Sequence, residues 1–181
     1  AMIATLTALN RDQDAQDMRW ECFETNLSVP HLRSYLKALP DFEDVEAEER
    51  AMSHTLTFSH VGQALNFCME WPDLRTAAQL IEHRADELDG DNYALLTPAA
   101  DRLRDRHPMA ATLVFRAMIN YALYAGRSAR YGHLVDHLYD LTALDAEITD
   151  YGDHLSHDKY VTALRRTYAH KSSFWAKVGD Q

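Results

Sequence analysis

The sequence predicts an all-α chain of about eight or nine helices stacked as antiparallel hairpins, an α-solenoid architecture. Three observations carry that expectation. Apolar residues recur at three-and-four spacing over 108–125, where Ala110, Leu113, Val114, Ala117, Met118, Tyr121 and Ala125 form one stripe, and again over 128–141 through Tyr131, Leu134, Val135, Leu138 and Leu141. Only Gly126 and Arg127 separate these patterns, so two amphipathic helices must fold back on each other to bury their stripes. Helix punctuation also recurs at Pro30, Pro40, Pro72, Gly90, Pro98, Pro108 and Gly126, while strand alternation is almost absent.

Taken in order, 14–26 reads as a first helix with Met18, Cys22 and Phe23 on one side. Ser28 then stands as an N-cap with Pro30 in the first turn, and Leu32, Tyr35 and Leu36 form the stripe before Pro40 ends it. A third helix over 41–56 presents Val45 and Met52 inward, and 59–71 supplies Val61, Ala64, Leu65 and Cys68. Pro72 opens another helix with Leu74, Ala77, Ala78 and Ile81, which Gly90 closes as a left-handed cap. Thr97 and Pro98 start a shorter helix around Leu103, and Pro108 opens the long one. After the hairpin, a short helical turn is expected at 146–148. A last helix begins at His157 or Asp158 and turns Tyr160, Val161, Leu164 and Tyr168 inward, with Phe174 and Trp175 as closing apolar anchors. No strict 34-residue repeat is present, so any solenoid is degenerate.

A chain of 181 residues suits one domain, with its softest point at 89–91. Cys22 and Cys68 lie far apart among apolar neighbours, as reduced buried thiols do. No stretch approaches the roughly 20 apolar residues that span a bilayer, and no basic leader precedes an apolar run, so the reading is a cytoplasmic protein without a membrane role. The net charge of −10 is uneven: residues 1–90 carry 17 acidic against 7 basic side chains, residues 91–181 carry 11 against 11. Much of the excess is the run 41–49, DFEDVEAEE, which repels phosphates and argues against nucleic acid as a partner. Such carboxylates suit first the start of a helix that faces water, and second a docking face for a basic partner.

Candidate chemistry is sparse. His133 and His137, four apart, project from one helix face, Asp140 continues that line, and His154 and His157 are three apart. Together they form a candidate site for zinc. Leu134 follows His133 where a zinc peptidase motif needs glutamate, so that reading fails. The loop 86–91 is no calcium loop, because Ala85 and Leu96 would fall at its first and twelfth positions. No phosphate-binding glycine loop or GxSxG elbow occurs among only six glycines. Arg127, Arg130 and Tyr131, with 171–175 near the end, are candidate anchors for an acidic or aromatic peptide.

The segments HLRSYLKALPDFEDVEAEERAM, ADELDGDNYALLTPAADRLRDRHPMAATLVFRAMI, RSARYGHLVDHL and HKSSFWAKV together resemble the C-terminal part of an uncharacterised proteobacterial family, a domain of unknown function, over roughly 31–178. The resemblance implies a helical, tetratricopeptide-like chain that would be the tail of a longer protein. It brings no catalytic residue and no cofactor.

The function expected from these readings is a non-catalytic scaffold that binds a protein or peptide. Its concave face would be lined by the first helix of each hairpin, Arg116 and Asn120 included. The alternative is a metal-binding protein or metal-dependent hydrolase centred on His133, His137 and Asp140.

Overall fold

The computed structural model describes residues 2–179, and these form eleven α-helices, two 3-10 turns and no strand. The all-α expectation therefore holds, with two helices more than the sequence reading counts: α1 (Met2–Ala8) and α11 (Ser172–Gly179). Both are short, and α1 buries nothing, so neither leaves a periodic signature long enough to read. The chain divides into two compact units, residues 1–76 and 77–181. The division falls inside α6 (Leu74–Arg84).

Unit 1 contains α1, α2 (Asp12–Asn26), α3 (Val29–Leu36), α4 (Glu43–Leu56) and α5 (Val61–Glu70). Helix α2 ends at Leu27, whose left-handed φ of 47° lets its N–H return to the carbonyl of Phe23. Ser28 occupies the cap position of α3, but its hydroxyl bonds His31 Nδ1 at 2.7 Å, and Pro30 in the first turn supplies the preset φ that starts the helix. The core gathers Ala15, Phe23, Leu32, Ala51, Met52, Leu65, Phe67 and Cys68. Aromatic rings knit it: Phe23 lies 5.2 Å from Trp20 and 5.5 Å from Phe67, which stacks on Trp71 at 6.0 Å. Guanidiniums cover both indoles, Arg50 over Trp20 at 3.5 Å and Arg33 over Trp71 at 5.6 Å. Burial pushes the Cys68 thiol up to about 12, which keeps it protonated and inert.

Unit 2 is organised around α8 (Pro108–Tyr124), which packs against α7 (Tyr93–Leu103) on one side and α9 (Tyr131–Asp145) on the other. Eleven of its seventeen residues are buried, from Ala110 to Leu123, so it is enclosed on nearly every face and not along one stripe. Helix α9 keeps the expected pattern, with Tyr131, Leu134, Val135, Leu138 and Leu141 all buried. Each fully buried side chain of this size contributes about 1.5–3 kcal/mol. The turn between them is made by Gly126 at φ +66°, a conformation that favours glycine, followed by a 3-10 turn over Ser128–Arg130. Helix α10 (His157–Thr167) buries Tyr160 and Leu164, and α11 seats Phe174 edge-on to Tyr131 at 5.4 Å. Beside it, Arg165 covers Trp175 at 4.4 Å.

Several local expectations are corrected. Helix α7 starts at Tyr93, because the Asn92 side chain accepts the N–H of Leu95 and caps it five residues earlier than Pro98, which sits inside the helix. At 146–148 the chain makes hydrogen-bonded turns off the end of α9, from Glu147 N–H to the Leu144 carbonyl at 3.0 Å and from Ile148 N–H to the Asp145 carbonyl at 3.2 Å, and no separate helix. Val45 is 56% exposed, since the start of α4 projects into solvent before its apolar face engages at Ala47. Gly90 has no positive φ. A Cβ there would stand 2.3 Å from the Ala117 carbonyl oxygen and 2.5 Å from Tyr121 Cβ, so the residue is glycine because α8 passes against it.

That contact is rigid on both sides, backbone and Cβ, so Gly90→Ala should destabilise the protein by about 2 kcal/mol. Gly132→Ala, whose Cβ would meet nothing within 4 Å, should be neutral or slightly stabilising. Urea denaturation of the two variants checks this, and a Gly90→Ala protein as stable as wild type would refute the close approach.

Candidate functional site

The residues singled out from sequence fall into separate neighbourhoods in unit 2. Asp91, which the sequence reading weighs only within the rejected calcium loop, collects one group. Its carboxylate accepts from Arg130 Nη1 at 2.7 Å and from the Tyr121 hydroxyl at 3.1 Å, with Arg127 at 3.9 Å. Arg130 also lies over the Tyr93 ring at 4.1 Å. The hydrogen bond from Arg130, followed by that from Tyr121, holds the Asp91 carboxyl below its ordinary value against the opposing effect of desolvation. Arg127 and Arg130 are thus internal partners of the 89–91 loop, and Tyr131 is buried at 4% exposure, so these three do not form one open groove.

Arg116 is the largest departure. Read as part of an exposed face, it is only 6% exposed, because α8 is enclosed by its neighbours. Its guanidinium lies 4.4 Å from the Tyr160 ring centroid and 5.4 Å from that of Tyr151, and Nη1 donates to the Leu155 carbonyl at 2.7 Å. Nε and Nη2 have no hydrogen-bond partner in the protein. Burial pulls its pKa down, yet a guanidinium remains charged at neutral pH. Asn120 accepts the Tyr160 hydroxyl at 2.9 Å, while Tyr151 donates to Asp145 at 2.8 Å. The loop 146–156 that joins α9 to α10 supplies Tyr151 and Leu155, and His154 ties it to the Glu82 carbonyl through Nε2 at 3.0 Å.

The histidines are dispersed. His133 is open to solvent, whereas His137 is 13% exposed, lies 4.9 Å from the Phe115 ring and is held below its ordinary pKa by burial. Its Nδ1 is 3.9 Å from Asp140, beyond hydrogen-bond reach. Asp140 is instead bonded by Arg104 Nη2, a partner 36 residues away that sequence spacing does not reveal. His154 is taken by Glu82, and His157 Nε2 lies 3.3 Å from the Thr142 hydroxyl. Among the described residues no group of three or more His, Cys, Asp or Glu side chains is arranged to hold a metal ion. An apolar notch of about 130 Å³ between α9, α10 and α11 is lined by Val135, Leu138, Tyr139, Val161, Arg165 and Trp175 among others.

In unit 1 the acidic run meets its expectation as a helix start, with Glu43, Asp44 and Glu46 in the first turn of α4. Phe42 precedes them at φ +76° and is 85% exposed, an outlier for a bulky residue and an unusual place for a phenyl ring. Alongside lies a cleft of about 480 Å³ lined by Tyr35, Leu39, Glu43, Glu46, Ala47 and Arg50. Among the described residues no helix is long and apolar enough to cross a membrane.

The sign of the Asp91 effect follows from its lowered pKa: its contribution to stability is present above the ordinary 3.8 and is lost as pH falls through the lower folded value. Asp91→Asn should therefore cost stability at pH 7 and flatten the acid limb below pH 4, as measured by urea melts across that range. An unchanged acid limb would remove Asp91 from the account.

Comparison with known proteins brings no function: no curated protein matches the chain, and no solved structure does. The profile of a family of unknown function, DUF6880, matches residues 1–177. The chain belongs to that family.

Proposed function

We propose that the protein is a non-catalytic interaction module that docks a basic, amphipathic segment of a protein partner on the acidic edge of unit 1. The observation that carries this reading is Phe42, held in solvent by a left-handed backbone between Asp41 and Glu43 at the head of the acidic run. A free phenyl ring in water gains nothing from exposure, and its backbone conformation carries a cost of order 1–3 kcal/mol that some other requirement must offset. With Val45 one turn on, it offers apolar contact, while Asp41, Glu43, Asp44 and Glu46 offer charge to lysine or arginine.

The adjoining cleft supports the same reading, because Glu43 and Glu46 flank Tyr35 and Leu39 there and pair polar with apolar lining. Within the run, Glu48 accepts the Trp71 indole N–H at 2.7 Å and Asp44 accepts the Val45 N–H at 3.0 Å.

A panel of helical peptides differing only in lysine and arginine content, titrated onto immobilised protein at two salt concentrations, tests this. Wild type should retain the basic amphipathic members in a salt-dependent way, with Glu43→Lys and Glu46→Lys together weakening capture by about tenfold or more. Phe42→Ser should weaken it with the salt dependence kept. Equal capture by all variants would overturn the proposal.

A further inference from the structure

We propose that Arg116 is the receptor of a small-oxyanion site in unit 2, one that takes a carboxylate or phosphate group edge-on to its guanidinium beneath the loop 146–156. A guanidinium has five N–H donors, and a buried one is expected to have them met. Here Nη1 has the Leu155 carbonyl, and Nε and Nη2 have nothing. Those two atoms form the side edge of the guanidinium, the fork whose spacing matches two oxygens of one carboxylate or phosphate.

The surroundings fit an absent anion better than a structural cation. A side chain at 6% exposure pays a large desolvation penalty for its charge, and a methionine of similar volume would fill the space without it. No carboxylate of the described residues bonds Arg116. Asp145, whose charge acts on Arg116, is bonded by the Tyr151 hydroxyl. The two tyrosine rings, one on α10 and one on the loop, lie 4.4 and 5.4 Å from the guanidinium carbon and with the Nη1 bond to Leu155 restrain the group. Holding the Leu155 carbonyl needs one donor, not a fork.

Entry would require the loop to shift. It contains no helix over 146–156 and has Gly152 at φ +53°. Two of its ties are the single hydrogen bonds from Arg116 to Leu155 and between His154 and Glu82. Leu155 itself is 49% exposed, so its side chain adds little to the closure.

The test titrates formate, acetate and phosphate at constant ionic strength, with chloride as the reference, into protein carrying ¹⁵N-arginine. The Arg116 Nε–H resonance should move saturably, and the melting temperature should rise by about 5 °C at a hundredfold excess over Kd. Arg116→Met should abolish the rise, and Arg116→Lys should keep at most a small part of it, since an ammonium cannot form the two-pronged pair. A response to formate and acetate alone marks a flat carboxylate slot. A response to phosphate marks a roomier one, and either supports the site. A stationary Nε–H resonance in all three titrations would overturn it, leaving a bound water as the partner of Arg116. That readout uses wild-type protein, so it decides the matter even where Arg116→Met does not fold.

Discussion

Unit 2 depends on one constraint, the enclosure of α8. A helix buried along a single stripe leaves its other face to water, but α8 has neighbours around almost its whole circumference and is long enough to contact α7, α9 and the segment before α7. Everything nearby has to be shaped to it. Position 90 must be glycine because the Ala117 carbonyl passes where a Cβ would stand, and seven of the eleven buried residues of α8 are alanine, leucine, valine or isoleucine, which lets partners come close. The same enclosure turns Arg116, which would be an ordinary surface cation on a one-sided helix, into a buried charge with an unmet edge.

How far the sequence could be read follows from this. The hairpin of α8 and α9 was legible because both helices are long, strongly periodic and separated by a glycine whose positive φ is the expected device. Helix starts set by a side chain were less so: Asn92 outranks Pro98 as the beginning of α7, since a cap satisfies a donor while proline only tolerates the position. Gly90 is visible in the sequence as punctuation, but its reason is not, because a close approach from a helix 27 residues away leaves no local signature.

The site residues show the same limit more sharply. Spacing along a helix correctly puts His133, His137 and Asp140 on neighbouring turns, but what each side chain does is decided by partners distant in sequence. Arg104 takes Asp140, Glu82 takes His154, and Phe115 shields His137. Periodicity also cannot tell a one-sided helix from an enclosed one, which is why Arg116 reads as a surface residue. The acidic start of α4 was legible because charge near a helix N-terminus acts locally, while the exposure of Phe42 depends on a backbone angle that composition does not encode.

The arginines that cover the three tryptophans have an optical consequence. Trp20 and Trp71 lie in unit 1 beneath Arg50 and Arg33, and Trp175 lies in unit 2 beneath Arg165. A cation fixed over an indole perturbs its excited state, so each ring senses whether its own guanidinium is still seated. The native emission spectrum is therefore a superposition of two reporters from one unit and one from the other, and single-tryptophan forms would let the loosening of each unit be followed by its own colour change.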